Sequence, residues 1–259
     1  MNPLGSGIWH PVSGSASRSA RAIHRSHIAE LEGSFLANYQ AEIVQVELDP
    51  DELESYTANR REYLAFARRV GVDFSAPDGW QRFIAAAARD PQGRAAMRCY
   101  REQKRLSRAS RAKLRAVWEL LREHPGERAL VFTEDNDTAY EIGRRFVLPV
   151  MTHHTRSSER KAMLGAFRAG RYPVLVASKV LNEGVDVPEA SVGIIVSGSG
   201  SVREHVQRLG RLLRPGAGKV AVLYEILSAG TGEQSTSDRR RSHAAFGQED
   251  DLFSAAEEA

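Results

Sequence analysis

Two arginines and a glutamine near the C-terminus have the types and the spacing to act on a phosphate group. Gln207, Arg211 and Arg214 fall at positions i, i+4 and i+7 of a segment that opens with a capping box, Ser201 and Glu204. On a helix these three side chains share one strip, opposite an apolar side. Guanidinium groups fixed near a phosphoryl group stabilise the charge that develops on its oxygens during transfer. The segment therefore predicts a phosphate-handling helix, although a surface amphipathic helix could carry two arginines at this spacing by chance.

A second candidate site lies in residues 174–191, where an apolar strand pattern runs into a polar loop. Gly184 would let the backbone approach a ligand closely, and Asp186 could accept a hydrogen bond from a ribose hydroxyl or hold an arginine. Open α/β sheets place their ligands at loops of this kind, beyond the carboxyl ends of parallel strands. The alternative is an ordinary turn with an aspartate cap. We favour a ligand site because this loop and the arginine segment follow consecutive strands and could converge on one edge.

A strongly basic segment precedes both candidates. Residues 94–115 contain nine basic residues and one acidic residue, Glu102. Five arginines recur at spacings of three and four, so on a helix they share a face: Arg94, Arg98, Arg101, Arg105 and Arg108. A row of guanidinium groups suits the phosphates of a nucleic acid. A plain solvated face, or a docking surface for an acidic partner, remains the alternative.

The elements that must position these residues follow two patterns. From residue 128 onward, short apolar runs alternate with amphipathic segments of ten to fifteen residues, which predicts a parallel α/β sheet with helices on both faces. The apolar runs are residues 129–133, 150–153, 173–178, 193–198 and 220–226. Ahead of them, residues 41–49 have the period of a strand, Asp49 and Glu52 predict a capping box that starts a helix, and Gly71 ends that helix. Residues 80–124 predict further helices.

These patterns divide the chain into four parts. We expect a poorly ordered N-terminal segment, a strand followed by the basic helical region, the α/β domain and a polar tail, over residues 1–40, 41–125, 126–228 and 229–259. Cys99 is the only cysteine, which excludes disulfides within the chain and fits a reducing cytoplasm. No apolar run approaches the roughly 20 residues of a membrane helix, and no secretory signal is visible. We therefore expect a cytoplasmic protein with no membrane partner.

Four motifs carry a resemblance to a known family. The segments ALVFTEDN (129–136), HHTRSSERKAMLGAFRAG (153–170), VASKVLNEGVDVPEAS (176–191) and QRLGRLLRP (207–215) resemble motifs IV, IVa, V and VI of superfamily 2 DNA helicases, and most closely those of the XPB-type DEAD/DEAH-box helicases. The last two motifs are highly specific together, and the resemblance covers about residues 31–246. It implies the C-terminal half of such a helicase: a RecA-like parallel sheet flanked by helices, preceded by a mostly helical basic region.

The resemblance also implies roles for individual residues. It makes Arg211 and Arg214 arginine fingers. It assigns three residues to the nucleotide site: Gln207, Gly184 and Asp186. It places four residues on the nucleic-acid track or in its coupling to ATP: Thr155, Arg160, Ser178 and Lys179. No further ligand pattern accompanies His153 and His154, so we predict no metal site there and assign His154 no role.

Two parts of a complete motor are not found in the sequence. The only approximation to a phosphate loop, residues 216–220, lacks the first glycine and the hydroxyl that follows the lysine, and no acidic magnesium-binding tetrad follows an apolar strand. We therefore expect ATP and Mg²⁺ only if a first RecA-like half completes the site, and an ATPase that is inactive alone. The expected partners are DNA and either a separate first RecA-like half or a nuclease.

Two other readings of the chain remain open. The first is a non-catalytic DNA-binding or adaptor module derived from a helicase, which would use the arginines of residues 94–115. The second is an unrelated doubly wound ligand-binding domain. The absence of a G-x-G-x-x-G turn after the first strand disfavours a dinucleotide binder.

Overall fold

The computed structural model describes residues 24–28, 39–178, 190–197 and 221–233. Their strands are β1 (His24–Ile28), β2 (Tyr39–Val46), β3 (Ala129–Thr133), β4 (Val150–Met151), β5 (Val174–Ser178), β6 (Val192–Ile195) and β7 (Ala221–Ser228). The seven strands form one sheet in the order β1-β2-β7-β6-β3-β5-β4. β1 runs antiparallel to β2, and every other pairing is parallel. The parallel part of the sheet therefore contains six of the described strands.

Six helices belong to the described residues: α1 (Pro50–Arg69), α2 (Gly79–Arg89), α3 (Pro91–Arg108), α4 (Arg111–Glu123), α5 (Asn136–Phe146) and α6 (Ser157–Arg168). Side-chain caps set several of the starts. Asp90 accepts a hydrogen bond from Gln92 N at 2.7 Å before α3, and Asp135 accepts one from Thr138 N at 2.8 Å before α5. Gly71, with φ of +65°, follows the end of α1, as its position in the sequence predicts.

Apolar residues cover both faces of the sheet. On one face α4 and α5 pack on the central strands, and Val117, Val131 and Ile142 are completely buried there. On the other face α6 contributes Phe167, also fully buried, beside Leu175. Burial on both faces accounts for the continuous apolar runs in the sequence, since no side of a central strand meets water.

Helices α1, α2 and α3, residues 50–108, form what we call the helical arm. The arm has an aromatic core of its own, in which Phe83 meets Tyr63 and Phe66 edge to face, with ring centroids 6.3 and 5.9 Å apart. Gly93 lets α3 approach α2, because a Cβ at this position would lie 2.5 Å from the Cα of Ala87. The arm is therefore a small packed unit that follows strand β2.

The predicted α/β parallel sheet with flanking helices, preceded by a mostly helical basic region, is confirmed. Two features differ from the expected division of the chain. β2 pairs with β7 over eight residues, so the strand ahead of the helical region belongs to the same sheet as the α/β domain. β1 lies within the segment expected to be poorly ordered, yet its backbone pairs with β2. The rest of that segment and most of the predicted polar tail lie outside the described residues.

The predicted capping box of α1 does not form. Asp49 precedes the helix but makes no side-chain cap bond, and its carboxylate instead meets Arg111 and Arg115, each at 2.9 Å. Glu52 accepts from the backbone N of Arg111 at 3.1 Å. Cations of α4 therefore attract the two carboxylates away from the helix start.

Among the helices that the structure describes, none combines the length and the apolar character that a membrane span requires.

Candidate nucleic-acid interface

The carboxyl ends of β3, β4, β5 and β6 share one edge of the sheet, which we call the carboxyl edge. Helices α5 and α6 start at this edge, since α5 follows β3 and α6 follows β4 after a short turn, and their N-terminal amides bring partial positive charge to it. The described polar residues at the strand ends are Glu134, Asp135, Asn136, Thr152, His153, His154, Thr155, Ser178 and Ser197. An anionic ligand would meet hydrogen-bonding groups and two helix N-termini here.

A hydrogen-bonded chain crosses the carboxyl edge from inside to outside. Ser178, the last residue of β5, is completely buried, and its hydroxyl donates to Oδ1 of Asn136 at 2.8 Å. Nδ2 of the same amide donates to Nδ1 of His153 at 3.2 Å. His153 is exposed. The hydrogen-bonded chain therefore links the carboxyl end of β5 to a side chain on the surface.

The turn after β4 is held by a second set of bonds. Thr155 accepts a hydrogen bond at Oγ1 from the backbone N of Thr152 at 2.9 Å. The buried Thr152 hydroxyl lies 3.1 Å from the hydroxyl of Tyr140 on α5 and accepts from the backbone N of His154 at 3.2 Å. These bonds fix the path of the turn that carries the two histidines and leads into α6.

The structure brings three of the predicted track residues to this edge. Thr155 lies in the turn and Arg160 in the first turn of α6, and both are partly buried. Ser178 is also at the edge, where it is buried and its hydroxyl bonds to Asn136. Its role on the nucleic-acid track or in the coupling to ATP stays a prediction.

The predicted arginine row lies on α3, where Arg94, Arg98 and Arg101 are exposed. Arg105 is exposed too, but its guanidinium holds Glu102 at 2.7 Å. This pair raises the pKa of Arg105 and lowers that of Glu102. The first three arginines therefore present their charge to solvent, whereas that of Arg105 is partly neutralised on its own helix.

Arg108 departs from the predicted row. Its guanidinium lies 2.8 Å from Glu134 and 3.6 Å from Asp135, directly after β3. Less than a third of each of these side chains is exposed. Burial lowers the pKa of the Lys104 ammonium, and the positive charge of the nearby Arg108 lowers it further. The last turn of the arm is thus joined by an ion pair to the carboxyl edge, and Arg108 is not simply free for phosphate.

Lys113 on α4 makes the most buried ionic contact among the described residues. Its ammonium group has no exposed surface and lies 2.6 Å from the carbonyl oxygen of Val196 and 2.7 Å from Glu233. A second bond joins the turn after β7 to α1 of the helical arm, because Gly232 N donates to the hydroxyl of Tyr56 at 2.9 Å. Lys113 therefore fastens α4, the end of β6 and the turn after β7 to one another.

Sequence reasoning missed Asn136, His153, Glu134 and Lys113. Asn136 and Glu134 carried a signal, since both belong to the ALVFTEDN motif. Nothing in the sequence distinguished Lys113 from its basic neighbours. Six predicted site residues lie outside the described residues, and their roles stay predictions: Lys179, Gly184, Asp186, Gln207, Arg211 and Arg214.

Comparison with known proteins supports the resemblance to the C-terminal half of a superfamily 2 helicase. Residues 112–216 match the family model described as the helicase conserved C-terminal domain. The chain is 36% identical over 219 residues to the DNA 3'-5' translocase XPB2 of Sulfurisphaera tokodaii, an alignment that covers 85% of this chain and 50% of that protein. It is 42% identical over 129 residues to the DNA 3'-5' helicase XPB of Mycobacterium tuberculosis, covering 49% of this chain and 24% of the relative. The chain thus spans half or less of the length of these relatives.

A solved structure shares the fold. The helicase domain of Hef from Pyrococcus furiosus superposes with a TM-score of 0.59 at 17% identity, covering 78% of this chain and 58% of that one. The fold and the matched domain define the class: this is a RecA-like helicase C-terminal domain. Within that class the chain belongs to the XPB-type superfamily 2 helicases and corresponds to their C-terminal half.

Proposed function

We propose that this chain acts as the C-terminal RecA-like part of an ATP-dependent DNA helicase or translocase. In this role it supplies nucleic-acid contacts and arginine fingers to a nucleotide that a first RecA-like half holds. The observation that carries the proposal is the 36% identity over 219 residues to a protein named as a DNA 3'-5' translocase. The carboxyl edge supports it, because helix N-termini and hydrogen-bonding side chains converge there as an anionic ligand requires.

DNA is the proposed nucleic acid. The names of both relatives state DNA as the substrate of those proteins. In this chain two regions suit a phosphate backbone: the exposed arginines of α3 and the turn between β4 and α6 with Thr155 and Arg160. Lys179 follows Ser178 directly and is proposed to extend the second region.

The nucleotide is proposed to be ATP with Mg²⁺. Arg211 and Arg214 would stabilise the charge on the transferring phosphoryl group, and Gln207, Gly184 and Asp186 would complete the site. The phosphate loop and the magnesium-binding carboxylate come from the first RecA-like half in this scheme. Arginine fingers without that cradle have no positioned substrate, so the 259-residue chain is expected to hydrolyse no ATP alone.

An ATPase assay with separately purified halves tests this proposal. We expect no turnover from the chain alone, and DNA-stimulated turnover after addition of the first RecA-like half of an XPB-type relative. Arg211→Ala and Arg214→Ala should each lower that turnover by about 10³-fold or more. Arg171→Ala is the matched control, because Arg171 is exposed before β5, away from the carboxyl edge, and its loss should leave turnover unchanged.

Magnesium-dependent hydrolysis by the chain alone, abolished by Arg211→Ala, would overturn the division of labour between the halves. Full activity of the arginine variants in the mixed assay would overturn the arginine-finger roles. Either result would leave the DNA contacts to be tested separately.

A second candidate function is a DNA-binding or adaptor module without catalysis. It is favoured by the three arginines of α3, which are exposed on the helical arm. In this case DNA affinity would fall steeply with salt but would not respond to ATP or to the first half. Nucleotide-dependent affinity in the mixed assay would exclude it.

A further inference from the structure

The hydrogen-bonded chain at the carboxyl edge determines which atom of the Asn136 amide faces His153. The Ser178 hydroxyl donates to Oδ1 of Asn136, which leaves Nδ2 of this amide as the group that faces the histidine. An amide nitrogen can only donate, so Nδ1 of His153 accepts. A neutral imidazole that accepts at Nδ1 carries its proton on Nε2. Ser178 and Asn136 together therefore make Nε2 of His153 a hydrogen-bond donor.

The position of His153 gives this donor an anionic target. The side chain is exposed, two residues after β4 in the turn that leads to α6. Helix α6 begins at the end of this turn, and its N-terminus favours a negative ligand. Arg156 directly precedes the helix and Lys161 lies near its start, and both exposed side chains add positive charge. The track residues Thr155 and Arg160 directly precede Arg156 and Lys161 in sequence. A phosphodiester group on this track would meet the outward-facing N–H of His153.

We propose that His153 contacts DNA through a hydrogen bond from Nε2 to a backbone phosphate oxygen, and that Asn136 and Ser178 are its positioning residues. The inference rests on the proposed function, because it takes the carboxyl edge as the nucleic-acid track. It adds a contact that the motif resemblance does not assign. It also joins that contact to Ser178, which precedes the predicted nucleotide residues Gly184 and Asp186 by a few positions in the sequence.

DNA affinity of the full chain, measured by fluorescence anisotropy at several salt concentrations, tests the contact. A hydrogen bond to a charged phosphate is worth about tenfold in affinity, so His153→Ala should weaken binding by about that factor. His153→Gln keeps a donor and should recover part of the loss. His154→Ala removes the neighbouring ring, 3.8 Å away, but keeps the donor, so it should retain most of the affinity.

The salt dependence separates a neutral donor from a cation. His153→Ala should shift the plot of log affinity against log salt without changing its slope, because a neutral donor displaces no counterion. Arg160→Ala should reduce the slope by about 0.9 if that guanidinium neutralises one phosphate. A slope reduced to the same extent by His153→Ala would overturn the neutral-donor contact.

The positioning roles are tested by a double-mutant cycle. Asn136→Ala should weaken binding several-fold in the wild-type chain but should have no further effect in the His153→Ala background, because it acts only through that imidazole. A general structural defect would lower affinity equally in both backgrounds and would overturn the positioning role. Wild-type affinity in His153→Ala would overturn the contact alone, whereas a wild-type chain that fails to bind DNA would overturn the proposed DNA-binding function first.

Discussion

The basic segment, residues 94–115, has two parts with similar compositions but different environments. We call residues 94–107 its first half and residues 108–115 its second half. In the first half Arg94, Arg98 and Arg101 project from α3 into solvent. In the second half the charged groups meet carboxylates from elsewhere in the chain, as Arg108 does with Glu134 and Lys113 with Glu233. One half therefore offers charge to an external anion, whereas the other fastens the helical arm and α4 to the sheet. A count of basic residues does not separate these two roles.

The difference arises from where the segment runs. The first half lies on the outer face of the arm, whose inner face packs on aromatic side chains. The second half passes the carboxyl ends of β3 and β6 and the start of α1, where acidic residues are concentrated. Ion pairs at such partly buried positions fix geometry more strongly than pairs on the open surface.

The largest expected effect comes from breaking the most buried contact of the second half. Lys113→Met should lower the free energy of unfolding by about 3 kcal/mol, because it removes the buried ammonium that neutralises Glu233 and donates to the Val196 carbonyl. Urea denaturation followed by circular dichroism measures the change. Adding Glu233→Gln should recover part of the loss, since the uncompensated carboxylate is then removed. A loss below about 0.5 kcal/mol in Lys113→Met would show that this lysine contributes no more to stability than a surface cation does.

The first half should show the opposite behaviour. The triple change Arg94→Ala, Arg98→Ala and Arg101→Ala should leave unfolding within about 0.5 kcal/mol of the wild type. It should reduce the salt slope of DNA binding by about 2 to 3, since each neutralised phosphate contributes about 0.9. Arg115→Ala is the matched control, because this guanidinium is held by Asp49 and should contribute little to the slope. An unchanged slope in the triple variant would exclude the α3 row as a phosphate contact.

Arg108 belongs to the predicted arginine row by its spacing but to the second half by its contacts, and Glu134→Gln tests whether it also serves DNA. Removing the carboxylate should cost about 1 kcal/mol of stability, because the pair is less than a third exposed. It should also raise DNA affinity a few-fold, since Arg108 is released and a negative charge leaves the carboxyl edge. Stability and affinity measured on the same preparation give both numbers. Unchanged DNA affinity would assign Arg108 to the fastening half alone.

The smallest effect is expected at Cys99, which lies on α3 between the arginines of the first half. Its side chain is partly buried against the aromatic core of the arm, and burial raises the pKa of its thiol. Cys99→Ser should leave DNA affinity unchanged within error and stability within about 1 kcal/mol. A loss of affinity by this variant would mean that the inner face of α3, as well as the arginine row, takes part in binding.

Much of the fold could be predicted from local patterns. The apolar runs predict the strands from β3 to β7, and Gly71 predicts the end of α1. The capping box at α1 was wrong because Asp49 and Glu52 have stronger partners on α4, about sixty residues away in sequence. A local rule holds only where no distant group competes for the same atoms.

The candidate site divides in the same way. Thr155 and Ser178 were found from motifs, because motifs preserve residue types at fixed spacing. The bond from Asn136 to His153 was not, since these residues lie 17 positions apart and meet only because β3 and β4 end at the same edge. The partners of Arg108 and Lys113 were hidden for the same reason.

The sequence by itself determined the family, the alternation of strands and helices and the types of residue available for phosphate chemistry. Periodicity and motif spacing are local properties of the chain, so they can be read without a structure. Tertiary structure alone decided which cations remain exposed, that β2 joins the main sheet beside β7, and that Asn136 meets His153. Each of these depends on groups brought within about 3 Å by packing, and electrostatic and hydrogen-bond energies are set at that distance rather than by separation along the chain.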